Sequence, residues 1–109
     1  MTIESHQDWL VGFYQRRDWF KHTPAMRINY LTEELGELSR AVRTIEVGRD
    51  HPGEAEPTRA DANANLIEEL ADCMDQVLIL AAKYYLSAQE LINASHQKLS
   101  ARFPDDLKG

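Results

Sequence analysis

Apolar residues recur three and four positions apart along most of the chain, and no stretch alternates strictly between apolar and polar. That spacing predicts helices and no sheet, an all-α fold of four main helices. The first is expected from about Ser5 to Trp19. Ser5 would cap it, with Asp8 three residues on, and Trp9, Leu10 and Phe13 would share one side. The second is expected to start at Thr23-Pro24, a Thr cap followed by Pro where a helix needs no N–H. Its apolar stripe is Leu31, Leu35, Leu38, Val42 and Ile45, and Gly48 is a natural stop.

Residues 48–61, G-R-D-H-P-G-E-A-E-P-T-R-A-D, hold two Pro, two Gly and six charged side chains, so they should form a loop rather than core. A third helix is expected from about Asp61 to Tyr85, with Leu66, Leu70, Cys73, Val77 and Leu80/Ala81 along its stripe. The fourth has a reciprocal start signal, Ser87 with Glu90, flanked by Leu86 and Leu91 for a hydrophobic staple. It should run through Ile92 and Leu99 to Phe103, where Pro104 ends it and leaves a frayed tail over 104–109. No low-complexity segment interrupts the chain, and residues 1–109 read as a single domain.

Composition narrows the function. The net charge is −6, so a general nucleic-acid polymer is not expected as a partner. An acidic chain can still hold a polyphosphate when divalent cations bridge the two. Cys73 is the one cysteine, which excludes an intrachain disulfide. The opening M-T-I-E-S-H-Q-D-W has no apolar run after a basic cluster, and nothing approaches a membrane span. A cytoplasmic location is the expectation. At 109 residues the core is small, so a second copy would add stability.

One internal echo carries chemistry. Residues 31–42 and 66–77 align at a shift of 35 positions. Leu31 meets Leu66, Glu33 meets Glu68, Glu34 meets Glu69, Leu35 meets Leu70, Glu37 meets Asp72 and Val42 meets Val77. At about 100° per residue, with Leu31 as zero, Glu34 lies near ~300° and Glu37 near ~240°. Both therefore border the apolar stripe, and Glu69 and Asp72 take the same places relative to Leu66. Glu33 and Glu68, near ~200°, lie further from the core. If the two helices pair antiparallel, Glu34, Glu37, Glu69 and Asp72 converge.

Four carboxylates at a core edge repel one another and lose hydration. Divalent cations relieve both costs, and an all-oxygen set favours Mg²⁺ or Mn²⁺. A single E-x-x-E is ordinarily a solvated helix face. Two of them, matched in phase against the stripe, favour the metal reading. A di-iron carboxylate bundle needs Glu-x-x-His, but His is absent at the required spacing from either pair. Cys73 falls on the stripe and reads as inert core; Trp9 and Phe13 also read as core. Asp75 points away from the cluster and reads as surface, as do His6 and His51.

The pair E-E-L-G-E and E-E-L-A-D resembles the signature of the MazG-like all-α nucleoside triphosphate pyrophosphohydrolases, a superfamily that includes dimeric dUTPases and dCTPases. F-Y-Q-R-R-D-W-F-K-H-T-P, residues 13–24, resembles the segment before the first acidic helix in dCTPase-type members. R-F-P at 102–104 is similar to the end of the family's last helix. The resemblance implies a four-helix MazG-like fold that forms a homodimer or a dimer of dimers. It implies Mg²⁺-dependent cleavage of NTP or dNTP by water, giving NMP or dNMP and pyrophosphate, a house-cleaning reaction on non-canonical or excess nucleotides. Glu34, Glu37, Glu69 and Asp72 would be ligands, Glu37 would also hold the water, and Glu33 and Glu68 would support them from behind. Trp19, His22 and Arg102 would contact the substrate.

Three positions depart from the family pattern. Aligned on Arg102, the places that often carry Lys and Asn are Ser95 and Leu99 here. Position 76 is Gln where dCTPase-like members often place an aromatic. Two alternatives therefore stay open. One is a nucleotide- and metal-binding regulatory module with weak or no turnover. The other is a helical oligomerisation protein whose acids are only surface.

Overall fold

The computed structural model describes residues 1–48, 52–53 and 55–106. Among them the secondary structure is helical throughout: α1 (Ile3–Arg16), α2 (Pro24–Val47), α3 (Arg59–Lys83), α4 (Ala88–Arg102) and a short 3₁₀ turn, Pro104–Asp106. No strand occurs among the described residues. Parts of the expected loop (49–51 and 54, with His51) and of the expected tail (107–109) lie outside the described residues.

Helix ends follow local chemistry more than periodicity. Thr2, not Ser5, caps α1. Its hydroxyl accepts from the Ser5 N–H at 3.1 Å, and Ser5 Oγ accepts from the Thr2 N–H at 2.9 Å. Ser5 is thus the inner half of a capping box, worth about 1 kcal/mol. The same helix stops at Arg16, not Trp19, because Asp18 turns left-handed with φ 61. The Asp18 N–H then reaches Gln15 O and the Trp19 N–H reaches Tyr14 O, closing the last carbonyls. Tyr85, with φ 60, ends α3 in the same way. Thr23 and Pro24 start α2, and Gly48 at φ 74 ends it. Ser87 and Glu90 cap α4 reciprocally, and Phe103 closes it before Pro104.

Two compact units are present, each with its own packing. The first comprises residues 1–21 and 78–109. In it α1 lies against α4, around buried Leu10, Tyr14, Leu78, Ile79 and Ala88. Gln7, 4% exposed, ties three chain segments together. Its amide N–H groups donate to Leu78 O and Leu86 O, each at 3.1 Å, and its Oε1 accepts from the Ala88 N–H at 2.9 Å. That N–H belongs to the first turn of α4 and has no partner within the helix. Glu4 adds a second cap by accepting from the Gln89 N–H at 2.6 Å. Lys83 donates to Phe20 O at 2.6 Å and sits over the Phe20 ring.

The second unit comprises residues 22–77, essentially α2 and most of α3. The helices run antiparallel: Arg27 reaches Gln76 at 3.4 Å, Glu37 and Glu69 meet midway, and Thr44 shares a groove with Ala62. The facing sides are not the apolar stripes expected from the sequence. Buried on α2 are Arg27 and Ala41, at about 320° and ~280° on the same helical scale. Buried on α3 is Ala62, at about 320° relative to Leu66. The contact is therefore centred near ~300°, on the acidic shoulder of each stripe. Leu35, Val42, Leu70 and Val77, expected as core, are 50%, 39%, 50% and 41% exposed. Trp9, also expected as core, is half exposed and stacked between His6 and Phe13.

Replacing Gln7 by Ala should cost on the order of 2 kcal/mol in denaturant unfolding, because the buried Ala88 N–H loses its acceptor. A loss below about 0.5 kcal/mol would show that water takes over the role.

Candidate metal centre

The antiparallel pairing brings Glu34 and Glu37 of α2 against Glu69 and Asp72 of α3. Each offers one carboxylate oxygen, and these four atoms all lie within 4.8 Å of one another. Three of the four residues are half-buried and Glu37 is exposed. Oε2 of Glu34 and Oε2 of Glu69 are buried with no hydrogen-bond partner. A buried acceptor without a donor ordinarily costs about 1–3 kcal/mol, more when charged.

Proton binding answers the repulsion in part. Burial, then the carboxylates of Glu37, Asp72 and Glu69, push Glu34 up from its ordinary 4.5 to about 7. Glu69 is raised by burial first and by Glu37 next. Asp72 is raised by burial, then by Glu68, Asp75 and Glu37. The Glu37 carboxylate raises Glu34, Glu69 and Asp72 alike, which makes it the hub of the cluster. Cys73, half-buried beside the acids, has its thiol pushed up by burial and by Glu34, so it stays protonated and is a poor nucleophile.

Carboxylate oxygens gathered within 4.8 Å of one another, on residues that also carry orphaned oxygens, fit a hard divalent cation, which would supply the missing partner. Glu33 and Glu68 lie outside the cluster and are exposed; Glu68 acts on Asp72 and Glu69 through its charge. Asp75 is half-buried and outside the cluster too. His22 is half-buried, its ring edge-on to Tyr30 at 5.8 Å. Trp19 and Arg102 belong to the other unit. There Trp19, 42% exposed, packs edge-on to Tyr14 and Phe13 under the Arg17 guanidinium. Arg102 is exposed in the last turn of α4, where its charge suits the helix dipole.

The family model for the MazG nucleotide pyrophosphohydrolase domain matches residues 22–106, including both acidic helices. The chain belongs to the MazG nucleotide pyrophosphohydrolase family. It is also 41% identical over 103 residues to the uncharacterized protein YvdC of Bacillus subtilis (strain 168), covering 94% of this chain and 97% of that protein. The MazG match takes in the whole four-carboxylate cluster. No helix among the described residues is long and apolar enough to cross a membrane.

Sequence reasoning missed Arg27. It is 4% exposed, with its guanidinium 4.7 Å from the Tyr30 ring and hydrogen-bonded to Gln76. A signal existed: Arg27 lies two turns before Glu34 and nearly in phase with it, at about 320° against ~300°. Gln76 stands in phase with Glu69 by the same spacing. Both acidic rows are thus continued by a polar residue at one end.

The raised Glu34 pKa fixes a sign. In the metal-free protein its contribution to stability is complete below about 4.5 and is lost as pH rises through about 7. Metal must displace that proton, so binding strengthens over the same range. Thermal melts with Mn²⁺ against chelator should show a metal-dependent gain that is small near pH ~6 and larger near pH ~8. Glu34→Gln should melt above the wild type without metal near pH ~8, and should lose most of the gain. An equal gain at both pH values would contradict the coupling.

Proposed function

We propose that this chain is a Mg²⁺-dependent nucleoside triphosphate pyrophosphohydrolase, with Mn²⁺ as an alternative, converting NTP or dNTP and water into NMP or dNMP and pyrophosphate. The observation that carries the reading is the cluster of four carboxylates with two buried, unpartnered oxygens, built on helices that echo each other. Membership of the MazG family supports the reaction class.

Glu34, Glu37, Glu69 and Asp72 would hold the cation. When bound, it neutralises phosphate oxygens and lowers the pKa of water. Glu37, as hub, accepts a proton from the water that attacks the α-phosphorus. The α-phosphorus to bridging-oxygen bond breaks, and pyrophosphate leaves with that oxygen. Glu33 and Glu68 keep the local charge negative behind the ligands. Trp19 stacks on a base, His22 contacts the nucleotide, and Arg102 pairs with phosphate. Excess or non-canonical cytoplasmic nucleotides are the proposed substrates.

A homo-oligomer, dimer or dimer of dimers, belongs to the same proposal. With α2 and α3 facing each other at ~300°, a turn of about 100° leads on both helices to the same side of the antiparallel pair. On that side stand Ile28, Leu35 and Val42 of α2 and Leu70, Met74 and Val77 of α3, each at least 39% exposed. A second copy of the helix pair would cover this continuous apolar strip in a two-fold arrangement.

A panel of NTPs and dNTPs with Mg²⁺ or Mn²⁺ should release pyrophosphate. Glu37→Gln should lower kcat by roughly 10²–10⁴-fold. Tight nucleotide binding without product from any substrate would instead establish the binding-module alternative, for which Ser95 and Leu99 are the motive. Sedimentation equilibrium should give a dimer or tetramer, and Leu35→Glu with Leu70→Glu should shift it towards monomer. A wild-type monomer at micromolar concentration would exclude the assembly.

A further inference from the structure

The residues matched by the MazG model begin at 22, so α1 stands before them. Its inner face is used by the fold, through Gln7, Leu10 and Tyr14. Its outer face carries an aromatic row. Trp9, 49% exposed, stacks on His6 at 6.0 Å and on Phe13 at 5.4 Å, with ring planes tilted by 20° and 21°.

A single exposed aromatic is ordinary on a protein surface. Gly12, one turn from it, is not ordinary. Gly inside a helix is less favourable than Ala, because it loses more backbone freedom and packs nothing. The fold does not require it here. A Cβ at Gly12 would meet only Arg16 Nη1, at 3.2 Å, the movable end of an exposed side chain. What Gly12 supplies is a gap on the outer face, where another backbone or a large ring can approach closely.

Helical phase and charge say what fits the gap. With Trp9 as zero, Gly12 lies near ~300°, Arg16 near ~340° and Asp8 near ~260°, so all four share the outer side. A second α1, antiparallel and related by a two-fold axis midway between Trp9 and Gly12, sets each indole over the partner's Gly12. The Arg16 guanidinium that lies there meets the incoming indole as a cation meets a ring face. The same register brings Arg16 within reach of the partner's Asp8. The acids of α1, Glu4 and Asp8, stand in its first half, and Arg16 and Arg17 stand at its end. Antiparallel self-pairing therefore opposes unlike charges, whereas parallel pairing would oppose like ones. One patch serves both copies, as a closed two-fold contact requires.

We propose that the outer face of α1 is a self-association surface, in which Trp9 of each copy seats over the partner's Gly12 and Arg16 pairs with the partner's Asp8. It lies on a different unit from the strip of Leu35 and Leu70. Together the two contacts build a dimer of dimers; the α1 contact alone builds a dimer. It holds whether or not the chain hydrolyses nucleotides.

Sedimentation equilibrium tests it in the wild type and in the Leu35→Glu, Leu70→Glu background, where the strip is disabled. That background should remain a dimer at micromolar concentration. Gly12→Leu and Arg16→Asp should each weaken its association by about ten-fold or more, since every substitution counts twice in a two-fold contact. Asp8→Arg combined with Arg16→Asp should recover most of the loss, because both charges are then reversed in both copies. Helicity and the Mn²⁺-induced melting shift should not change, which separates lost pairing from lost folding. A monomeric background protein, an unchanged association in Gly12→Leu, or no recovery in the double reversal would each overturn the proposal. A wild-type dimer split by the strip substitutions but not by Gly12→Leu overturns the α1 contact and upholds the strip. A wild-type dimer split by Gly12→Leu but not by the strip substitutions upholds the α1 contact and defeats only the strip.

Discussion

Four carboxylates held within 4.8 Å of one another are the constraint that organises the second unit. Like charges at that spacing, partly out of water, oppose folding unless protons or cations intervene. The chain accepts this by using the acidic shoulder of each helix, rather than the centre of its apolar stripe, as the contact between α2 and α3. Small residues make that possible. Ala41 and Ala62 let the backbones approach where the acids end, and Arg27 with Gln76 closes the opposite end through a polar contact.

The displaced apolar stripes follow from the same choice. Rotating the contact towards the acids turns Leu35, Val42, Leu70 and Val77 outward on one shared side. An exposed apolar strip of this kind is a mark of an interaction surface rather than of ordinary solvated helix. The acidic cluster and the apolar strip are therefore linked by helix rotation: they stand about 100° apart around the same two helices. The first unit solves a different problem. Its core is small, and Gln7 and Glu4 supply α1 side chains to the orphan N–H groups that begin α4. Buried polar partners there join segments more than 70 residues apart in sequence.

Much of the secondary structure was legible because capping is local chemistry. Thr23-Pro24, Gly48, Ser87 with Glu90, and Pro104 each act within one turn, and each stands where the sequence placed it. The errors were local as well. Ser5 looked like a cap because Thr2 could serve equally, and the reciprocal Thr2–Ser5 bonds decide between them. Trp19 looked helical by periodicity, but Asp18 can adopt φ 61, which its short polar side chain tolerates.

The sequence by itself determined that the chain is helical and that Glu34, Glu37, Glu69 and Asp72 occupy equivalent helical phases, since a 3.6-residue period and a 35-residue echo suffice for both. Tertiary structure alone decided which side of each helix faces the other. Periodicity ranks a helix face by hydrophobicity, whereas burial depends on how closely two backbones can approach, and here alanines and acids set that distance. The roles of Ala41, Ala62, Arg27 and Gln7 came from the same source, because none of them is conspicuous until a distant segment is brought against it.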